Sequence, residues 1–159
     1  MPDMLVKLYD LPPLEPLVTQ QKNHGVDIRR ALAVEKHQIL DWVTTHFDKN
    51  WASECDIAFT RQPIACYIAV DQGELVGFAC HDAAYKNFFG PTGVSEKDRG
   101  RGIGRVLLLA CLHAMAAQGY GYAIIGWVGP AEFYRNAVGA TIIEGSEPGV
   151  YQGLLQQDK

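Results

Sequence analysis

The chain has 159 residues, enough for one domain with a buried core; 48% are apolar and 20% charged, a balance that excludes a disordered chain. A formal net charge of −4, from 14 Lys and Arg against 18 Asp and Glu, gives no electrostatic basis for nucleic-acid binding. The opening MPDMLVKLYDLPP lacks the apolar centre of a secretory signal, and no window holds the ~20 apolar residues of a membrane span, so a soluble cytoplasmic protein with no membrane partner is expected.

Met4 to Leu11 alternates as a short strand, and Pro12, Pro13 and Pro16 break any regular structure after it. Residues 1–24 are therefore expected to be an N-terminal extension that packs on the domain or pairs with a partner, leaving a homodimer open, with residues 25–159 as the domain proper. After the turn signal Asn23-His24-Gly25, Val26 to Ala31 reads as a strand. Val34, Ile39, Leu40, Trp42, Val43 and Phe47 recur at helical spacing over 33–47, and Trp51, Ala52, Cys55 and Phe59 mark a second, shorter helix over 50–59. Ala65 to Val70 and Leu75 to His81 form a hairpin around Asp71-Gln72-Gly73-Glu74. Tyr85 to Val94 is the next strand, and Gly90, Pro91 and Gly93 inside it predict a bulge or a splayed edge, with a plain loop as the alternative.

Ile103 to Gln118 reads as a helix apolar on nearly every side, about 24 Å long at 1.5 Å per residue and stopped by Gly119. Tyr122 to Val128 is a strand, and Ala131 to Val138 a short helix opened by Pro130 and closed by Gly139. Ile142 to Glu144 and Val150 to Leu155 complete a last hairpin. This order is an α/β sandwich with a mixed sheet. Cys55, Cys66, Cys80 and Cys111 form no CxxC pair and lie among apolar neighbours, as reduced buried thiols do, with a single disulfide left open. No two of the five histidines have the spacing of a helical metal pair, so no metal is expected.

The most informative stretch is Val94 to Leu109, VSEKDRGRGIGRVLLL. Gly100, Gly102 and Gly104, flanked by Arg99, Arg101 and Arg105, stand between a strand and a helix. A glycine-spaced turn at a helix N-terminus exposes several N–H groups, and with the helix dipole these make a cradle for phosphate or diphosphate. A dinucleotide loop, GxGxxG, would need a third glycine where Arg105 stands; a P-loop would need Lys then Ser or Thr after Gly104, where Arg105 and Val106 stand. What remains is RxxGxG, carried by Arg99, Gly102 and Gly104.

That pattern, with the strand before it and the apolar helix after it, resembles the acyl-CoA signature of the GNAT acyltransferase superfamily, and the order of elements from Val26 to Leu155 is similar to that fold. The resemblance implies a single-domain α/β fold with a mixed, mostly antiparallel sheet, splayed at its centre, and helices on both faces. It implies acetyl-CoA as co-substrate: Gly93 and Val94 on the pantetheine arm and thioester, and Arg99, Gly100, Arg101, Gly102, Ile103 and Gly104 around the diphosphate, with Arg105 adding charge. EFYRNAVGA resembles the family's short helix after the splayed strand, which makes Tyr134 the acid that protonates the departing thiolate. Where many members carry an asparagine after that strand, this chain has Gly129-Pro130, which removes one pantetheine contact.

Amine acetylation also needs a route for the amine proton. Glu54, Asp56, His81, Asp82 and Glu132 are candidate bases; Glu54 is preferred among them because the first two helices usually wall the acceptor site in this fold, and water is an equal alternative. Trp42, Phe47, Trp51 and Phe59 line either an acceptor pocket or the core. The implied activity is transfer of an acetyl group from acetyl-CoA to a primary amine of a small molecule or peptide. A non-catalytic acyl-CoA sensor and an interaction module are the alternatives.

Overall fold

The computed structural model describes residues 1–156. The chain opens with strand β1 (Met4–Lys7), a 3-10 turn over Leu8–Asp10 and helix α1 (Glu15–Asn23). Helix α1 has no counterpart in the sequence expectation. Pro16 lies in its first turn, where a missing N–H costs nothing, so the proline that reads as a breaker starts the helix. Strand β2 (Val26–Arg30) comes next, then helices α2 (Lys36–His46) and α3 (Lys49–Ala58), with Asp48 capping α3 by accepting from the Trp51 N–H at 2.8 Å.

The hairpin of β3 (Cys66–Asp71) and β4 (Glu74–His81) turns on Gln72 and Gly73, whose φ values of 51° and 78° are those of a type I′ turn. After it come β5 (Phe88–Val94), helix α4 (Ile103–Ala117), β6 (Tyr122–Ile125), helix α5 (Ala131–Val138) and the two-residue β7 (Thr141–Ile142). The seven strands form one sheet in the order β2-β3-β4-β5-β6-β1-β7, antiparallel throughout except for β5 against β6.

Alternation along the strands supplies two cores. Ala69, Ala79 and Phe89 face α4, whose Leu107, Leu108, Leu109 and Leu112 are all sealed from solvent; Ile68, Phe78 and Cys80 face Ile39 and Val43 of α2 and Cys55 of α3. The helices therefore lie on both faces, as expected. All four cysteines are buried with free thiols, and the sulfurs of Cys55, Cys66 and Cys80 lie within 4.8 Å of one another. No helix among the described residues is long and apolar enough to cross a membrane.

The final hairpin is a correction. Val150 to Leu155 forms no strand; Gly149–Tyr151 is a 3-10 turn. The partner of Thr141–Ile142 is instead β1, paired Met4↔Ile142 and Leu5↔Thr141 on one side and Met4↔Ile125 through Lys7↔Tyr122 with β6 on the other. Residues 4–7 thus lie inside the sheet, with Met4 and Val6 fully buried. The displaced C-terminal segment instead lines a cavity that opens between β5 and β6.

Candidate active site

Strands β5 and β6 pair only at Phe88↔Ile124 and Phe89↔Ile125, and beyond those two rungs they part. On its other edge β5 takes one more residue than β4 between Phe89 and Thr92, a bulge at Gly90, whose φ of 117° belongs to glycine. The residues that weaken a regular ladder here leave the β6-facing edge of β5 from Gly90 to Val94 without a partner in β6. A cavity of about 1230 Å³ fills the gap and extends from the entry to α4, past Gly93, Val94 and Tyr134, to Trp51, Glu54 and Tyr151.

At one end, a 3-10 turn over Glu96–Asp98 leads into Gly100 (φ 84°) and Gly102 (φ 79°), and α4 starts at Ile103. Gly102 is the N-cap, so no side chain caps the first N–H groups of the helix; they are free to serve a ligand. A Cβ on Gly100 would meet nothing within 4 Å, so backbone conformation is what calls for glycine there. Arg99, which donates from Nε to the Val94 carbonyl at 3.2 Å, lines the cavity, as do Gly104 and Arg105.

Arg101 behaves differently from the sequence expectation. Its guanidinium turns away from the cavity and bonds Asp71 at 3.0 Å and Asp98 at 2.9 Å, tying the loop to the β3–β4 turn. Asp98 also accepts from the Ser95 hydroxyl, which holds its carboxyl below the ordinary range. From behind, buried Gln21 of α1 donates Nε2 to the Arg101 carbonyl at 2.7 Å. The loop is therefore fixed by groups on its outer side while its main chain and two arginines face inward.

An open glycine turn at a helix N-terminus flanked by two arginines can hold a diphosphate. Residues 32–139 match the model of the Acetyltransferase (GNAT) family. The chain belongs to the GNAT acetyltransferase family. Among solved structures, this GNAT domain is similar to the GCN5-related glucosamine N-acetyltransferase region of a fungal multi-domain GH3 beta-N-acetylglucosaminidase, with a TM-score of 0.73 at 14% identity over 89% of this chain and 19% of that one. It is also similar to a GCN5-related N-acetyltransferase from Sphaerobacter thermophilus, with a TM-score of 0.66 at 22% identity over 89% of this chain and 48% of that one. The chain spans under half the length of either, and likeness at such identity bears on the fold alone. No curated protein sequence matches it.

Within the GNAT cavity, Tyr134 of α5 is 7% exposed, with its ring edge-on to Phe89 at 6.3 Å and to Phe133 at 5.0 Å. Burial pushes its phenol up to about 12, so it carries its proton across the whole working range of pH. Gly129 and Pro130 also line the cavity. Gly93 is needed on its opposite face: a Cβ there would overlap the Phe47 ring. Phe47, Trp42 and Phe59 belong to the core around Phe78, and only Trp51 of the four aromatic candidates reaches the cavity, stacked on Phe47 at 4.8 Å.

Of the five candidate bases, Glu54 alone lines this cavity. Asp56 pairs with Lys36 at 2.7 Å, and Glu132 with Arg135. His81 is fully buried, with Nδ1 2.6 Å from Asp82, beside a separate small pocket that also touches Arg61 and Tyr120. Burial raises the Glu54 carboxyl and the Asp48 charge adds to that, while the hydrogen bond that Tyr151 donates at 2.6 Å acts the other way. Tyr151 and Trp127 are site residues that the sequence does not reveal. Their rings lie 4.9 Å apart and both reach the cavity, Trp127 from just after β6 and Tyr151 from the C-terminal segment that lies outside the sheet. Nothing local in the sequence carries that placement.

Proposed function

We propose that this chain is an N-acetyltransferase that binds acetyl-CoA along the parted strands and passes the acetyl group directly to a primary amine of a small molecule or peptide. The observation that carries the reading is that one cavity joins the unpaired edge of β5, the glycine entry of α4 with no side-chain cap, and Tyr134. The main chain from Gly100 to Gly104, with Arg99 and Arg105, holds the diphosphate, while Arg101 braces the loop. Val94, whose main chain lies on the open edge of β5, offers its polar groups to the pantetheine arm and the thioester, whereas the Gly93 carbonyl points back toward Gly77 of β4.

The amine nitrogen attacks the thioester carbonyl, the carbon–sulfur bond breaks, and the electron pair leaves with sulfur. Tyr134 donates its proton toward that sulfur as negative charge develops, and Glu54, directly or through water, takes the proton the amine sheds. A carboxyl raised by burial is a better base than an exposed one, which favours Glu54 for this role.

Release of free thiol from acetyl-CoA, measured across a panel of primary amines, tests the proposal. Tyr134→Phe is expected to lower kcat by about 10²–10⁴-fold, the usual contribution of a placed acid, with acetyl-CoA binding unchanged. Unchanged turnover removes the role from Tyr134. Stabilisation by acetyl-CoA without turnover of any amine identifies a sensor, and absence of stabilisation overturns the cofactor assignment; at 100 times the dissociation constant the ligand adds about 2.7 kcal/mol.

A further inference from the structure

Charge is distributed unevenly along the cavity. Among the described residues, its side-chain cations, Arg99 and Arg105, both stand at the entry to α4. On the acceptor side, beyond Tyr134, the ionisable side chains are Asp48 and Glu54, and the walls are Trp51, Phe88, Trp127 and Tyr151. Met1 also lines the cavity, and its α-amino group is paired with Glu147. Tyr151 stacks near Trp127 and donates to Glu54, so ring faces and carboxylate belong to one wall.

Such a wall attracts a cation through carboxylate charge and ring quadrupole together, and among the described residues the one cation near it, the Met1 ammonium, is already paired with Glu147 rather than free to meet an anionic group. Most amine metabolites that carry a carboxylate or phosphate would bring that group, desolvated, against Glu54 and Asp48. We propose that the acceptor is a cationic primary amine on a flat body that bears no carboxylate or phosphate, held between the Trp127–Tyr151 wall and Trp51. The amine is drawn in as its ammonium form by Glu54 and reacts after losing a proton. The proposal rests on the acetyl-transfer reading and adds to it the exclusion of anionic acceptors.

Matched pairs of acceptors isolate the anionic group: tyramine against tyrosine, and glucosamine against glucosamine 6-phosphate, each with saturating acetyl-CoA. In each pair in which either member is turned over, kcat/KM for the member without the anion is expected to exceed that of its partner at least tenfold, or 1.4 kcal/mol. In Glu54→Gln that ratio is expected to shrink, because the repelling carboxylate is gone; the ratio is read within one variant, so slower chemistry does not affect it. Equal or better use of tyrosine or glucosamine 6-phosphate overturns the inference and leaves acetyl transfer standing. A ratio that Glu54→Gln does not change overturns the assignment of discrimination to this wall. Turnover of none of the four, with acetyl-CoA bound, overturns this acceptor class, and if the wider amine panel is also silent the acetyl-transfer reading falls with it.

Discussion

Glu54 gives the residue scale its sharpest consequence. Its carboxyl is raised, chiefly by burial, so it remains protonated to a higher pH than an ordinary glutamate at about 4.3. In the proposed mechanism Glu54 acts as the base and must be deprotonated, so activity is expected to switch on as pH rises through that elevated value. The acid limb of kcat/KM is expected to have its midpoint above about 4.3 in the parent and to vanish in Glu54→Gln; a limb that survives the substitution assigns the proton to water or to another group. Because the raised value means that folding favours the neutral form, any stability gained from Glu54 is present at low pH and is lost as pH rises through the folded value. At neutral pH, Glu54→Gln keeps an acceptor for the Tyr151 hydroxyl and removes a partly desolvated charge. Loss of activity in that variant will therefore not arise from unfolding, and a melting temperature equal to or above the parent's checks the point.

At the scale of elements, the loop into α4 was legible because two local signals coincide, glycines at alternate positions and an unbroken apolar run from Val106 to Leu109. The hairpin of β3 and β4 was legible for the same reason, with its turn residues lying between two apolar runs. Helix α1 was hidden by Pro12, Pro13 and Pro16, although a proline in a first turn is permitted. Its contribution is also invisible in the loop's own sequence. Gln21 projects from α1 onto the Arg101 carbonyl, and its Nε2 lies 3.4 Å from where a Gly102 Cβ would stand, so it presses on the peptide that sets the angle of the cradle. Gln21→Ala removes one hydrogen bond worth about 0.5–1.5 kcal/mol, roughly 2–10-fold in an equilibrium constant. The expected result is weaker acetyl-CoA binding by that factor with kcat at saturation unchanged. Unaltered binding, measured by titration calorimetry, separates α1 from the cradle.

Over the whole molecule, residues 1–7 and the C-terminal segment up to residue 156 meet at the wall proposed to receive the amine, and this arrangement was illegible because it rests on pairing between residues more than a hundred positions apart. Strand β1 against β6 places Asp3 beside the parted strands. There Asp3 accepts from the Trp127 N–H at 2.9 Å, its own N–H donates to Ser146 Oγ at 2.8 Å, and its carbonyl accepts from the Ile143 N–H at 2.9 Å. The Pro2 carbonyl accepts from the Val128 N–H, also at 2.9 Å. Trp127 has φ of 52°, a left-handed conformation that costs a tryptophan about 1 kcal/mol or more and persists only where its surroundings hold it. The Asp3 carboxylate is the side chain that bonds the Trp127 N–H, and a Cβ on Gly149 in the C-terminal turn would stand 3.3 Å from the same group. Asp3→Ala strips the acceptor from the Trp127 N–H, at a cost of about 1–3 kcal/mol in stability, and frees Trp127 to leave the wall it forms with Tyr151. Chemical denaturation should register the first effect. The second should appear as a raised KM for the amine with acetyl-CoA binding unchanged, since the proposed diphosphate cradle is the loop from Arg99 to Arg105, braced by Gln21 and Asp71, and touches none of these bonds. An Asp3→Ala protein that loses stability but keeps its amine KM would show that the wall is held by ring packing alone.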